Sequence, residues 1–436
     1  MTRASDAAIG VDFGTTNTVV ALDHGGEAAL VGFNHDGEAF NAFRSAISFH
    51  APADDPGGRV VEAGPWAIDA YVEEPLETRF IQSFKSYAAS PLFTDTRILN
   101  RRFTFEDLLA AFLLKLREHG GEGLTDLPPR VIVGRPVAFA GSRPDPLLAL
   151  GRYETAFRRL GFSDIRYVYE PVAAAFFFAR RLEGDATVLV ADFGGGTSDF
   201  SLVRFTREGG RMRSRALANA GVGVAGDAFD YRIIDHLVSP RLGKGSLYRA
   251  FDNILPVPNR YYSAFARWEQ LALLRASRDM KDIRRLVRSA VEPEKIARLV
   301  EVLDDNHGYR LYQAVSRLKE GLSGSETAIF DFAGGAVRIT GEVKRSSFES
   351  WIAPELAAIE GAVDQALTRA GLTEAGVDRV FLTGGSSFVP AVRAIFERRF
   401  GAQRLESGAE LVSIATGLAL MGAEPDLDAW SERAPG

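Results

Sequence analysis

Asp192-Phe193-Gly194-Gly195-Gly196-Thr197-Ser198-Asp199 lies between two apolar-rich runs, 187–191 and 200–205. That order predicts a β-hairpin with a glycine-rich turn and a carboxylate on each side. Three glycines let backbone amides approach a bulky anion closely. Asp192 leads into the turn, where a hydrated Mg²⁺ could be held. A close variant, Ile9-Gly10-Val11-Asp12-Phe13-Gly14-Thr15-Thr16-Asn17-Thr18, precedes the apolar run 19–22. The two aspartates are about 180 residues apart. One such hairpin is a loose hint, whereas two suggest a duplicated fold with a phosphate gripped between its halves.

The 436 residues suffice for more than one packed unit. A hydrophobic content of 46% and a charged content of 25% are ordinary for a globular protein. A net charge of −6 argues against nucleic acid as the main partner. The absence of cysteine excludes disulfides, thiolate metal sites and cysteine nucleophiles, and it fits a reducing compartment. The N-terminus lacks the apolar core of a signal peptide, and no run approaches the roughly 18 apolar residues of a membrane span. The expectation is a cytoplasmic protein without a membrane partner.

The helices follow from periodicity and stop signals. Leu108, Leu109, Phe112, Leu113 and Leu116 share a face before Gly120-Gly121. Val131-Ile132-Val133-Gly134 reads as a buried parallel strand. Glu170-Pro171 opens a helix expected to run to Leu182. Strands are expected at 28–33, 45–49, 166–169, 213–219, 327–331, 336–343 and 380–383, and residues 264–323 read as almost wholly helical. The result is two α/β halves with a cleft between them. The first half is 1–184, with an insertion at about 46–104. The second is 185–422, with a mostly helical insertion at about 228–311, followed by a short tail, 423–436.

Other motifs carry less. No P-loop spacing occurs around Lys244. Gly221-Val222-Gly223-Val224-Ala225-Gly226 matches the dinucleotide fingerprint, but no strand ending in an acid follows about 20 residues on. The six histidines show no metal-ligand spacing. Asp331-Phe332-Ala333-Gly334-Gly335 imitates the opening motif without its third glycine or its threonine, and reads as an ordinary strand–turn–strand. The two Asp-Phe-Gly turns differ, because each also carries hydroxyls: Thr15, Thr16 and Thr18 in one, Thr197 and Ser198 in the other. Amides plus hydroxyls suit a triphosphate. Gly384-Gly385-Ser386, after a buried strand and before a helix, forms a third close-approach turn.

Taken together, these residues resemble the heat shock protein 70 family, within the actin, sugar-kinase and chaperone superfold. Residues 9–18, 188–199 and 381–390 are similar to its two phosphate loops and its adenosine loop. Tyr169-Glu170-Pro171-Val172-Ala173-Ala174-Ala175 is similar to its first connecting helix, and Gly134-Arg135-Pro136-Val137 and Gly226-Asp227-Ala228-Phe229-Asp230 also have counterparts. The resemblance covers about residues 8–422 and implies the duplicated actin-like ATPase fold, α/β in class, around a central nucleotide cleft.

The resemblance also implies roles. Asp12, Asp192 and Asp199 would organise Mg²⁺, with K⁺ as a further candidate ion. Gly14, Thr15, Thr16, Asn17, Gly194, Gly195, Gly196 and Thr197 would hold the phosphates of ATP or ADP. Lys85 falls where the family has a lysine that reaches the γ-phosphate, and Glu170 on a glutamate beside the attacking water. Gly226, Asp227, Lys319, Ser323, Gly384, Gly385 and Ser386 would complete the nucleotide site. Ser316 stands where the family's adenine pocket usually has glutamate. The family's β-sandwich substrate domain and helical lid have no counterpart here, as in its truncated branch, and 426–430 is at best a vestige of its linker. The implied activity is slow Mg²⁺-dependent ATP hydrolysis that drives lobe closure, with unfolded protein or a co-chaperone as candidate partners. A small-molecule kinase of the same superfold, and a non-catalytic filament or nucleotide-sensing adaptor, are the alternatives.

Overall fold

The computed structural model describes residues 8–434 except 53, 54, 56, 57, 138, 140–142, 180–183, 209, 210, 267–270, 272, 273, 276, 306, 407–411 and 425. The chain divides into two compact units. One comprises Met1–Val222, Ala362–Ser387 and Phe396–Gly436, and the other Gly223–Gly361 and Phe388–Ile395.

The first unit holds one sheet pattern written twice. Its strands are β1 (Ala8–Phe13), β2 (Asn17–Asp23), β3 (Ala28–Leu30), β4 (Arg130–Arg135), β5 (Asp164–Tyr169), β6 (Ala186–Phe193), β7 (Ser198–Glu208), β8 (Arg211–Val222), β9 (Arg379–Thr383) and β10 (Leu405–Glu406). The first sheet runs β5-β4-β1-β2-β3, with Ala42–Arg44 pairing β2 as a sixth strand, and the second runs β10-β9-β6-β7-β8. In each, an antiparallel meander continues into two parallel strands. The register sets Asp192 opposite Asp199, and Asp12 opposite Val19.

The central strands are apolar on both faces because helices cover them. On β4, Val131 and Val133 are buried on one face and Ile132 on the other, and on β6, Val188 and Val190 are buried on one face and Leu189 on the other. Against β1 lies the helix Ser413–Gly422, which also meets the helix Glu170–Ala179. That crossing is closer than a side chain allows. A Cβ on Gly417 would sit 1.9 Å from the Ala173 carbonyl oxygen. On the other side, Phe13 packs on Phe84, Phe112 and Tyr153 at ring-centroid distances of 5.3, 5.8 and 6.0 Å. Phe13 follows Asp12 and Phe84 precedes Lys85, so this aromatic contact brings two chemically active neighbours to one place.

The tail is part of the same unit. Tyr167 and Glu432 exchange backbone hydrogen bonds of 2.9 Å, which extends β5 by one bridge. Trp430 meets Phe176 edge-on at 5.2 Å, and Arg166 and Arg135 bond the carboxylates of Asp428 and Glu432.

In the second unit, the helices Arg278–Ser289, Pro293–Asp304 and Gly308–Gly324 agree with the periodicity. The hairpin of Leu247–Ala250 with Asn253–Pro256 was not foreseen. The Asp331 stretch is an ordinary hairpin turn between Thr327–Gly334 and Val337–Lys344. Two other expectations change. The strand expected at 28–33 is two short ones, Ala28–Leu30 and Phe33–His35, interrupted at Val31-Gly32. The helix expected to reach Leu182 is described to Ala179, and Leu182 and residues 267–270 lie outside the described residues.

Candidate functional site

The two glycine turns close in the same way. Gly14 N–H donates to the Asn17 carbonyl at 3.0 Å, and Gly194 N–H to the Thr197 carbonyl at 2.9 Å. Both turns therefore leave Thr15-Thr16 and Gly195-Gly196 as the free arc. Ser45 braces the first: its hydroxyl donates to the Gly14 carbonyl at 2.7 Å, and its N–H to the Thr16 carbonyl at 2.8 Å. In the second, the Thr197 hydroxyl donates to Asp199 Oδ2 at 3.0 Å. The third turn leans on the second hairpin. Gly384 has φ +84°, and a Cβ there would lie 2.1 Å from the Phe193 carbonyl oxygen. Only glycine combines that backbone with that approach.

Lys85 is delivered by a kink. Ser83 adopts the left-handed region, φ 54°, and turns the chain from the strand Arg79–Gln82 into the short turn Phe84–Tyr87. Lys85 Nζ then bonds Glu170 Oε1 at 2.7 Å, with side chains 9% and 12% exposed. Glu170 starts its helix beside Gly134, whose missing Cβ leaves room for the Glu170 stem at 3.1 Å.

The electrostatics join these groups. Burial, then the charge of Glu170, pushes the Asp12 carboxyl up to about 7, against the pull of Lys85. Burial also raises Asp192 well above the carboxylate range, with Glu170, Asp12 and Asp199 adding to it. Asp199 is raised by desolvation and Glu170, and its bond from Thr197 opposes this. For Lys85, burial acts downward, but Glu170, Tyr153 and Asp12 outweigh it and raise the ammonium above its usual value. Four carboxylates thus stand around one cation, an excess of negative charge. A hard divalent ion with oxygen ligands fits that donor set.

The sign of the pH effect follows. Asp12 holds its proton in the folded protein between its ordinary 3.8 and about 7, where the unfolded chain has lost it. This site therefore loses stability as pH rises through that window, and the penalty is complete above it. A divalent ion held here would compete with protons for the same carboxylates. The thermal stabilisation given by Mg²⁺ is expected to be larger at pH 8 than at pH 6. Melting curves at both values check it, and an equal gain would remove Asp12 from the ion's surroundings.

Asp12, Gly14, Thr15, Thr16, Asn17, Lys85, Glu170, Asp192, Gly194, Gly195, Gly196, Thr197, Asp199, Gly384, Gly385 and Ser386 all belong to the first unit, and Asp12, Lys85, Glu170, Asp192 and Asp199 act on one another electrostatically. Gly226, Asp227, Lys319 and Ser323 belong to the second unit, where Lys319 pairs with Asp230 at 2.7 Å and the Ser323 hydroxyl donates to the Lys319 carbonyl at 3.0 Å. Ser45 and Tyr153 were missed. Tyr153 is buried beside Lys85, and its hydroxyl has no hydrogen-bond partner among the described residues. Its position on an amphipathic helix gives a sequence reader only a core aromatic. A cavity of about 160 Å³ between Tyr169, Val172, Val203 and Leu217 contains none of the expected site residues.

A family model described as "Hsp70 protein" matches residues 83–245 and 284–424. Chaperone protein DnaK of Halobacterium salinarum is 26% identical over 419 residues, which is 96% of this chain and 56% of the relative. Chaperone protein DnaK of Thermus thermophilus is 24% identical over 404 residues, 90% of this chain and 57% of the relative. The chain therefore spans little more than half the length of the curated relatives it matches. The repeated five-stranded sheet is the actin-like ATPase fold that accompanies this family model. With most of its length matched, the chain belongs to the Hsp70 family.

Proposed function

We propose that this protein binds ATP through the paired turns and hydrolyses it slowly, in a chaperone-like role. The Lys85–Glu170 pair, 2.7 Å apart beside Asp12, Asp192 and Asp199, carries the reading. In this proposal the amides of Gly195 and Gly196 and the hydroxyls of Thr15 and Thr16, joined by the Thr197 hydroxyl as it turns from Asp199, hold the β- and γ-phosphoryl oxygens beside Gly194. Asp12, Asp192 and Asp199 hold Mg²⁺ and its waters, and the bound ion supplies neutralisation of phosphoryl charge. Glu170 Oε1 is committed to Lys85, so Oε2 is the oxygen that orients the attacking water. The water oxygen bonds to the γ-phosphorus as the bond to the departing ADP oxygen breaks. Lys85 offsets charge that grows on the transferred group. Gly384, Gly385 and Ser386 offer a flat backbone surface to the nucleoside.

Chaperone work, with unfolded protein and a co-chaperone as partners, is supported by family membership and by the relatives' name, "Chaperone protein DnaK". The test is calorimetry with ATP and Mg²⁺, followed by phosphate release with and without unfolded protein or a J-domain partner. Thr197→Ala, which removes a phosphate-holding hydroxyl, is expected to lower turnover by about 10²-fold or more. Absence of ATP binding, or unchanged turnover in that variant, would sink the proposal.

A further inference from the structure

One surface of the second unit has no part in nucleotide chemistry. The hairpin of Leu247–Ala250 with Asn253–Pro256 exposes Leu247, Ile254 and Leu255 at 42%, 60% and 41%, and its tip residue Phe251 is fully exposed. The register pairs Leu247 with Pro256, Arg249 with Ile254 and Tyr248 with Leu255. Cross-strand partners share a face, so Leu247 and Ile254 lie on one face and Leu255 on the other. Exposed apolar side chains stand on both faces and at the tip, interleaved with Arg249 on the face of Leu247 and Ile254, Asn253 on the face of Leu255 and Asp252 beside Phe251. Apolar side chains on two faces and the tip, mixed with polar ones, suit the headgroup boundary of a bilayer, where both kinds of group are accommodated.

A basic helix adjoins it. Tyr248 bridges to Ala290, and the Val291 N–H donates to the Leu247 carbonyl at 2.8 Å. The hairpin therefore continues from the C-terminal end of the helix Arg278–Ser289. That helix buries Met280, Ile283 and Leu286. Its opposite side exposes Arg278, Lys281, Arg285 and Arg288, spaced three and four residues apart in one stripe. Arg249 is exposed on the hairpin, whose single acid is Asp252. This basic stripe runs against a chain charge of −6, so it does not follow from composition.

We propose that this hairpin and helix form a peripheral docking surface for a bilayer that contains anionic lipid. Phe251, Ile254 and Leu255 enter the boundary between headgroups and acyl chains, and the arginine stripe meets the lipid phosphates. A four-residue strand is about 13 Å long, enough to carry the tip to the roughly 5–10 Å depth of interfacial segments. No helix among the described residues is long and apolar enough to cross a membrane, so the contact is one of surface and wedge. The proposal is independent of ATP binding.

The test is co-sedimentation of the full chain with vesicles of phosphatidylcholine, with and without added phosphatidylglycerol. Binding is expected only with the anionic lipid, and it weakens with salt. Arg285→Gln with Arg288→Gln is expected to weaken it about thirtyfold, at about 1 kcal/mol per basic residue. Phe251→Ser is expected to weaken it more than tenfold. Phe251→Trp keeps the wedge apolar, and its fluorescence should shift to the blue on anionic vesicles only. No binding, equal binding to both vesicle types, or unchanged affinity in the serine and glutamine variants would overturn the proposal. So would equal affinity for soluble polyglutamate, which would make the surface a site for acidic protein.

Discussion

Lys85→Met is expected to cost about 3–5 kcal/mol of stability, because it leaves the Glu170 carboxylate buried with no partner charge. The pair is short, at 2.7 Å, and its side chains are 9% and 12% exposed. The loss also removes the one cation that pulls down Asp12 and Asp192, so both carboxyls should rise further. If the proposed chemistry holds, turnover falls in the same variant by about 100-fold or more. The two effects separate in a double variant. Lys85→Met with Glu170→Gln removes both charges, and a buried ion pair replaced by neutral groups is often close to neutral in stability. Urea unfolding should therefore recover in the double variant while phosphate release stays low. A single variant as stable as the parent would show that the pair carries no weight in the fold.

Gly417→Ala is expected to be the most damaging single-methyl change in the first unit. The added carbon would stand 1.9 Å from a backbone oxygen of the Glu170–Ala179 helix, and no rotamer can relieve it. One helix must move, yet Ser413–Gly422 is buried along its length and also touches β1, β2 and β4. Overpacking of this kind costs about 1–3 kcal/mol, and more where the obstacle is backbone. The melting temperature should fall by several degrees or more. Because the displaced helix begins at Glu170, nucleotide affinity should weaken as well. A variant that melts with the parent would mean that the crossing is far softer than its geometry.

What the sequence made legible was local. Each of the two turns sets glycine, hydroxyls and an acid between apolar strands, so residues within ten positions carry the whole signal. The helix Phe105–His119 was equally readable from the spacing of its apolar residues. What joins distant residues was not readable. Lys85 is an unremarkable lysine on an aromatic stretch until Phe84 packs on Phe13. Ser45 sits in a bland strand approach, and only the folded chain puts its hydroxyl on Gly14. The hairpin at 247–256 escaped notice because both of its faces mix apolar and polar residues, which erases the alternation that marks a strand. The stretch 426–430 read as a remnant, because the partner of Asp428 on β5, Arg166, lies some 260 residues away in sequence.

The register of the duplicated sheets has one more consequence. In the second copy two carboxylates, Asp192 and Asp199, face each other across neighbouring strands; in the first, Asp12 faces Val19. Like charges directly opposite weaken a strand pair, whereas a valine strengthens it. The repeat has therefore become a division of labour. The first hairpin carries no such pair and is braced by Ser45, and the second keeps an internal repulsion that a counter-charge from outside relieves.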